Sequence, residues 1–146
     1  MPTVLVYGDD PVFRERIRLA AGRLPGGTEL GPVDYVEAAA SGAVVRAAAE
    51  GGIDAFVLDG EAWPAGGLGV CRQLKNEVPS CPPILVVIAR DADRWLGKWS
   101  MADAVLTTPL DPAEVASTLA RLLTHAAAQL PEPPARKGLL GRLLPS

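Results

Sequence analysis

Three apolar runs in the sequence end on residues that could bind a phosphate group or a metal ion. The run VLVY is followed by Gly8, Asp9 and Asp10, the run AFVL by Asp59, and the run AVL by two threonines, the second of which is Thr108. If the runs are strands of one parallel sheet, their carboxyl ends meet at one edge, where such sheets place their sites. Converging carboxylates suit a hard cation such as Mg²⁺, which takes oxygen ligands.

Short apolar runs and longer amphipathic segments alternate along the whole chain. The predicted strands are 3–7, 33–38, 55–58, 84–88 and 104–106, and the predicted helices are 11–21, 41–50, 68–77, 94–101 and 111 to about 128. Strict alternation of this kind predicts a parallel sheet covered by helices on both faces. The fold class is therefore α/β, with a doubly wound five-stranded parallel sheet.

Capping residues support these boundaries. Asp10 before Pro11, Ser41, and Asp111 before a proline are predicted helix N-caps, and Gly51 with its following glycine ends the second helix. In the last helix, four apolar residues fall on one face: Val115, Leu119, Leu122 and Leu123.

The composition restricts the class of protein. The chain has 146 residues, 49% of them hydrophobic and 21% charged, with a formal net charge of −3. These values predict one globular domain with a tail, and they argue against nucleic-acid binding, which needs a basic surface. Cys71 and Cys81 are predicted to be reduced thiols. No signal peptide or membrane-spanning run is recognisable, so we expect a cytoplasmic protein.

Four segments together resemble the receiver domain of bacterial response regulators, over residues 3 to about 125. They are VLVYGDDPVFRERI, DAFVLDGEAWPAGGLGVCRQLK, CPPILVVIAR and ADAVLTTPLDPAEVASTL. The resemblance implies a flavodoxin-like (βα)5 fold with strand order 2-1-3-4-5. It also implies that Asp59 occupies the position of the phosphoacceptor aspartate.

The chain departs from the receiver pattern at several functional positions. Gly8 stands at the first of two acidic positions, and Asp9 holds the second. Ile88 replaces the hydroxyl residue of the fourth strand, and Thr108 replaces the lysine that precedes a proline. Val105 stands where the family has an aromatic switch residue.

These departures predict a degenerate domain, a pseudo-receiver that is not an enzyme. Phosphoryl transfer depends on positive charge beside the developing oxyanions, and this chain lacks the lysine and part of the metal site. We expect Asp59 to be inactive, no resident cofactor, and at most weak Mg²⁺ binding by a vestigial acidic pocket of Asp9 and Asp10. The alternative keeps Asp59 as a phosphoacceptor, with Arg90 in place of the lysine and a histidine kinase as partner.

Trp95 and Trp99 lie four residues apart on the predicted fourth helix and therefore share a face. In receivers the surface of the fourth helix, fifth strand and fifth helix commonly meets partners. The two tryptophans are predicted either to bind a partner or to pack in the core, because tryptophan is enriched in both places.

The chain divides into a receiver-like domain at 1–128, a proline-rich linker at 129–136 and an amphipathic tail at 137–146. The tail combines basic residues with four leucines predicted to bind a partner: Leu139, Leu140, Leu143 and Leu144. So short a helix is marginal alone, and we expect it to form against its own domain, a partner groove or a membrane surface.

A degenerate stand-alone receiver with the segment WSMADAVLTTPLDP and a leucine-rich basic tail is similar to a group of actinobacterial orphan receivers. That group is associated with respiratory complex I, the NADH:quinone oxidoreductase. The similarity implies an accessory subunit on the hydrophilic arm, held at the cytoplasmic face of the inner membrane through its partner.

Overall fold

A computed structural model of the chain describes residues 2–21 and 33–128. Five strands and five helices alternate within these residues. The strands are β1 Thr3–Tyr7, β2 Asp34–Ala38, β3 Ala55–Asp59, β4 Ile84–Ile88 and β5 Ala104–Thr107. The helices are α1 Pro11–Ala21, α2 Ser41–Glu50, α3 Gly67–Glu77, α4 Trp95–Ser100 and α5 Pro112–Ala128, and a 3₁₀ turn at Asp91–Asp93 precedes α4.

The strands form one parallel sheet in the order β2-β1-β3-β4-β5, which confirms the predicted fold class and strand order. Side chains alternate between the faces of each strand. In β1, Val4 and Val6 pack on the face covered by α1 and α5, whereas Leu5 and Tyr7 pack on the face covered by α2 and α3. All of β4 is buried, as its continuous apolar sequence predicts.

Two of the three predicted N-caps are confirmed. Asp10 Oδ1 accepts a hydrogen bond from Val12 N at 2.9 Å, and Asp111 Oδ1 accepts one from Ala113 N at 3.0 Å. The prediction for Ser41 was wrong, because α2 already begins at this residue and its N-cap is Ala40, which has no capping side chain. The N–H of Ala43 bonds to the carbonyl of Ala40 at 3.1 Å and closes the first turn.

Small boundary differences have local causes. β3 continues to Asp59 because Gly60 N donates to the carbonyl of Val87 at 2.7 Å and extends the ladder. α4 ends at Ser100 because Met101 adopts a left-handed conformation with φ of 66°. The strand predicted at 33–38 begins at residue 34, β5 reaches residue 107, and α3 begins at residue 67.

The linker at 129–136 and the tail at 137–146, with its four leucines, lie outside the described residues. Among the residues that are described, no helix has the length and apolar character needed to span a bilayer.

Candidate functional site

The strand ends predicted to carry chemistry lie at the same edge of the sheet. Tyr7, the last residue of β1, is paired with Leu58, next to Asp59 at the end of β3. Asp59 is paired with Val87 of β4, and the last residues of β4 and β5 are paired with each other. We call this edge the carboxylate edge, defined by Asp9, Asp10, Asp59 and Glu61.

Asp59 is held by the turn that follows it. Its Oδ1 accepts a hydrogen bond from Glu61 N at 2.9 Å, and its backbone carbonyl accepts one from Ala62 N at 3.1 Å. The start of α3 lies directly against the same residue, since a Cβ on Gly67 would come within 2.7 Å of the Asp59 carbonyl oxygen. Glycine at the start of α3 therefore allows close packing of helix on strand.

Asp9 and Asp10 have different roles although they are adjacent and both exposed. Asp9 Oδ1 accepts a hydrogen bond from the backbone N–H of Trp63 at 3.1 Å, which ties the end of β1 to the loop after β3. Asp10 caps α1 through Val12 N. Only Asp9 thus connects to the segment that carries Asp59.

The carboxylate edge has no ion-pair partner among the residues that the structure describes. None of its four carboxylates forms an ion pair within residues 2–21 and 33–128. Partial burial raises the pKa of Asp59 above its usual value, and the negative charges of Asp9, Glu61 and Asp10 add to that rise, against the hydrogen bond from Glu61 N. The described residues contain no group of three or more acidic, histidine or cysteine side chains placed to hold a metal ion.

Position 8 lies beside Asp59. Gly8 is buried, and a Cβ built on it would be 3.3 Å from the Asp59 Cβ and 2.8 Å from Cδ2 of Phe13. A side chain at this position would therefore lie against Asp59, and the ring of Phe13 occupies part of the space it would need.

Two further departing positions, Ile88 and Thr108, lie beside the loop that follows Asp59 and at the neighbouring strand ends. Ile88 is fully buried, and its Cγ2 lies 3.4 Å from where a Cβ on Gly60 would be. Thr108 is exposed, and its backbone N–H donates to the carbonyl of Ile88 at 2.9 Å. Neither side chain brings a charge to the carboxylate edge.

The guanidinium of Arg90, a candidate replacement for the lysine, forms an ion pair with Asp93. Its Nε and Nη2 donate to the two carboxylate oxygens of Asp93, both at 3.2 Å. Sequence reasoning gave no role to Arg14, whose Nη1 donates to the carbonyl of Gly8 at 2.5 Å while its Nε donates to Glu37 at 3.0 Å. Arg14 therefore fixes the backbone at the end of β1.

Tyr7 is a second residue that sequence reasoning missed. Its ring is fully buried, and its hydroxyl donates to the carbonyl of Ala65 at 2.5 Å. Burial raises the pKa of Tyr7, and the nearby charges of Asp9 and Asp59 raise it further. In the sequence Tyr7 is one more apolar strand residue, and only the path of the loop, 58 residues later, reveals the contact.

Trp95 and Trp99 are on the surface, with 66% and 45% of their area exposed. Arg72 of α3 lies over the Trp99 ring, 4.8 Å from its centroid, and its Nη1 donates to the Trp99 carbonyl. Trp99 thus forms a surface with α3.

The backbone of α4 is packed closely on β5. A Cβ on Gly97 would overlap Val105 Cγ2, so only glycine permits this approach. Ser100 is buried, and its hydroxyl donates to the Gly97 carbonyl at 2.8 Å. Val105, at the position of the aromatic switch residue, is therefore in contact with the helix itself.

Relatives of this chain are known from mycobacteria. Over 120 residues the chain is 45% identical to the uncharacterized response regulatory protein of Mycobacterium tuberculosis, from two strains, and the match covers 82% of this chain and 90% of the relative. No family model matches the chain.

Solved receiver structures share the fold. A CheY-like receiver domain from Methanospirillum hungatei superimposes with a TM-score of 0.72 at 14% identity, covering 89% of this chain and 99% of that one. The response regulator TrrA of Thermotoga maritima, solved in complex with Mg²⁺ and BeF, gives a TM-score of 0.69 at 22% identity, covering 84% and 100%. The fold and the M. tuberculosis relatives together establish that the chain belongs to the response regulator receiver family.

Proposed function

We propose that this receiver is a non-catalytic pseudo-receiver that acts as a protein-interaction module, as an accessory or regulatory subunit of respiratory complex I. The observation that carries the first part is the carboxylate edge, where Asp59 lies among like charges and no described cation pairs with it.

Phosphoryl transfer requires positive charge on the transferred group, supplied by metal ions and by fixed cations. Removal of one well-placed stabilising group from a site of this kind costs about 3 kcal/mol of transition-state stabilisation. Thr108 supplies no charge, Ile88 offers no hydroxyl, and Arg90 is paired with Asp93. These positions together support an inactive site.

Mg²⁺ fits the carboxylate edge poorly. Asp9 and Asp59 are the side chains that would hold it, but each already accepts a backbone hydrogen bond on Oδ1, and Gly8 contributes no ligand. Mg²⁺ is usually bound by one or two carboxylates together with substrate phosphates and several waters. We therefore propose weak binding at most.

A second candidate function is a phosphorylatable response regulator with Asp59 as phosphoacceptor and a histidine kinase as partner. The observation in its favour is that Asp59 and Asp9 keep their places at the ends of β3 and β1 and are joined through the loop by Trp63 N. The structurally similar response regulator TrrA of T. maritima was solved in complex with Mg²⁺ and BeF.

The assignment to complex I rests on resemblance. The relatives at 45% identity come from Mycobacterium, an actinobacterial genus, and the orphan receivers that the chain resembles are associated with that enzyme. We propose that Trp95 and Trp99, together with the leucines of the tail, bind a subunit of the hydrophilic arm. This would hold the protein at the cytoplasmic face of the inner membrane through its partner.

Two experiments test this function. Incubation with a small phosphodonor and Mg²⁺ is expected to give no covalent mass increase, and a stoichiometric increase that is lost in Asp59→Ala would establish the phosphoacceptor alternative.

Affinity purification of the tagged full chain from native membranes is expected to recover complex I subunits. A chain ending at Leu130 is expected to recover less, and equal recovery would remove the tail from the interaction.

A further inference from the structure

Three large apolar side chains in α4 and directly after it are exposed. Trp95, Trp99 and Met101 lie within seven consecutive residues and are all exposed. We define the tryptophan surface as these three residues with Arg72 and Lys98. Large exposed aromatic residues grouped in this way mark interaction sites more often than isolated exposed side chains do.

The tryptophan surface is held in place before any partner binds. Gly97 and Ser100 fix the inner side of α4 on β5 and in the core. Arg72 fixes the outer side, because it stacks on Trp99 and also bonds to its carbonyl. Fixed anchors lose little conformational freedom on association, which favours tight and specific binding.

The tryptophan surface is flanked by positive charges that form no ion pair among the described residues. The neighbouring carboxylates are neutralised by ion pairs, which are Asp91 with Arg94 at 2.9 Å, Asp93 with Arg90 at 3.2 Å and Asp103 with Lys75 at 2.6 Å. Lys98 and Arg72 form no ion pair within the described part of the chain. The apolar surface is therefore flanked by two unneutralised positive charges.

From this arrangement we infer that the tryptophan surface binds an apolar segment of a partner protein that carries carboxylates. This inference rests on the proposed function as a protein-interaction module and names the chemistry of the partner. Apolar side chains of the segment would cover Trp95 and Trp99, and its carboxylates would lie against Lys98 and Arg72. Charge complementarity of this kind orients the partner and speeds its encounter.

Other occupants fit the charges less well. The tail of the chain carries Lys137 and Arg142, which have the same sign as Lys98 and Arg72. Attraction to an anionic membrane would contribute only about 1 kcal/mol of binding free energy for each cation near the membrane surface. The net charge of −3 on the chain opposes its approach to such a membrane. A protein segment with carboxylates meets both the aromatic and the ionic requirements.

Two synthetic amphipathic peptides with the same leucine spacing test the inference on the ¹⁵N-labelled full chain. One peptide has glutamates on its polar face and the other has lysines. The chain has three tryptophans, so its indole N–H signals report on Trp63, Trp95 and Trp99 separately. Trp63 is 75% exposed and lies beside Asp9, and so it serves as an internal control.

The glutamate peptide is expected to shift the signals of Trp95 and Trp99 and to leave Trp63 unchanged, while the lysine peptide shifts neither Trp95 nor Trp99. Trp95→Ser and Trp99→Ser should each weaken binding about tenfold or more, whereas Trp63→Ser should not. Lys98→Glu should weaken binding several-fold, with the loss decreasing as salt is added. Circular dichroism verifies that each variant remains folded.

Four results would overturn the inference: equal binding of the lysine peptide, a glutamate peptide that binds at Trp63, no binding of either peptide, or prior occupation of the surface. Occupation by the tail would appear as shifts of Trp95 and Trp99 on truncation after Leu130, and occupation by a second copy as shifts with protein concentration. Shifts with anionic vesicles but not with the glutamate peptide would indicate a membrane. If the glutamate peptide does not bind but complex I subunits are still recovered, this inference fails and the proposed function does not. If the peptide binds but no complex I subunit is recovered, the assignment to complex I fails and this inference does not.

Discussion

The carboxylates of the carboxylate edge and those around α4 differ in what lies beside them. Asp9 and Asp59 accept backbone hydrogen bonds and form no ion pair with a described residue, whereas Asp91, Asp93 and Asp103 each pair with an arginine or lysine. The first group is an acidic site with no paired cation among the described residues, and the second consists of ion-paired carboxylates near the exposed tryptophans. The proposed pseudo-receiver function predicts that the first region has lost phosphoryl chemistry, because removal of one charge-stabilising group costs such a site about 100-fold or more in rate.

The largest expected effect is on the rate of phosphorylation, when the lysine and the acidic residue of the receiver pattern are restored at the carboxylate edge. In the variant Gly8→Asp/Thr108→Lys, a lysine and one further carboxylate join Asp59, and the rate of phosphorylation by a small phosphodonor with Mg²⁺ should rise by about 100-fold or more. Mass spectrometry of the intact protein measures the modification. Some stability should be lost, because the new Cβ at position 8 comes within 2.8 Å of Phe13.

Two controls make this restoration specific. Thr107→Lys places a lysine one residue earlier, at the end of β5, where the threonine hydroxyl donates to Asp91 and not to Asp59, and it should leave the rate unchanged. Addition of Asp59→Ala to the restored variant should abolish the modification. A wild-type chain that is modified as fast as the restored variant would remove the contrast between the two regions.

On the α4 side, Gly97→Ala breaks the packing that holds the tryptophan surface. The added Cβ would overlap Val105 Cγ2, so helix or strand must shift, at a cost of about 1–3 kcal/mol in the free energy of unfolding. Urea denaturation monitored by circular dichroism measures the loss. Val105→Ala in the same chain removes the clashing methyl group and should restore part of the stability.

Gly69→Ala is the matched control for this substitution. Gly69 lies in α3, and a Cβ added to it would have nothing within 4 Å, while alanine is the better helix former by up to about 1 kcal/mol. The control should therefore be neutral or stabilising. A loss in Gly69→Ala as large as that in Gly97→Ala would show that close packing on β5 is not the cause.

Sequence reasoning reached the fold because the strands and most helix starts carry clear local signals. Strand β4 is wholly apolar, and the capping aspartates Asp10 and Asp111 mark their helices correctly. Ser41 was wrongly predicted to be an N-cap because a helix can also begin without a capping side chain. In α2 the N-cap is Ala40, whose backbone carbonyl accepts a hydrogen bond from Ala43 N.

The site was predictable as a set of strand ends and not as a set of contacts. The hydrogen bond from Trp63 N to Asp9 spans 54 residues and depends on the path of a loop, for which local pattern gives no signal. The spacing of Trp95 and Trp99 predicted a shared face correctly, but helical periodicity alone does not say which face is covered. The packing of Gly97 against Val105 decides it.

A smaller effect distinguishes the two kinds of carboxylate by pH. Because the pKa of Asp59 is raised in the folded protein, the native state keeps a proton that the unfolded chain loses above pH 3.8, and stability falls as pH rises through the folded pKa. Asp59→Asn keeps the acceptor for Glu61 N and removes the charge. Its melting temperature at neutral pH should exceed that of the wild type.

The gain in Asp59→Asn should disappear below pH 3.8, where the carboxyl is protonated in both states. Thermal melts across this pH range supply the measurement. A gain of the same size at every pH would mean that the substitution acts through packing, and a loss at neutral pH would mean that a cation compensates Asp59 after all.

The smallest effect, with the opposite sign, belongs to Asp91→Asn. Hydrogen bonds from Arg94 and Thr107 and the charge of Arg94 lower the pKa of Asp91, so its ionised form stabilises the folded state above pH 3.8 and that contribution is lost as pH falls through the folded pKa. The variant should melt slightly below the wild type at neutral pH, and the deficit should shrink on acidification and on addition of salt, because the pair is exposed. Melts of both aspartate variants in one buffer series would then diverge in opposite directions from the wild type as pH rises. Parallel curves would mean that the paired and unpaired carboxylates do not differ in the way their contacts indicate.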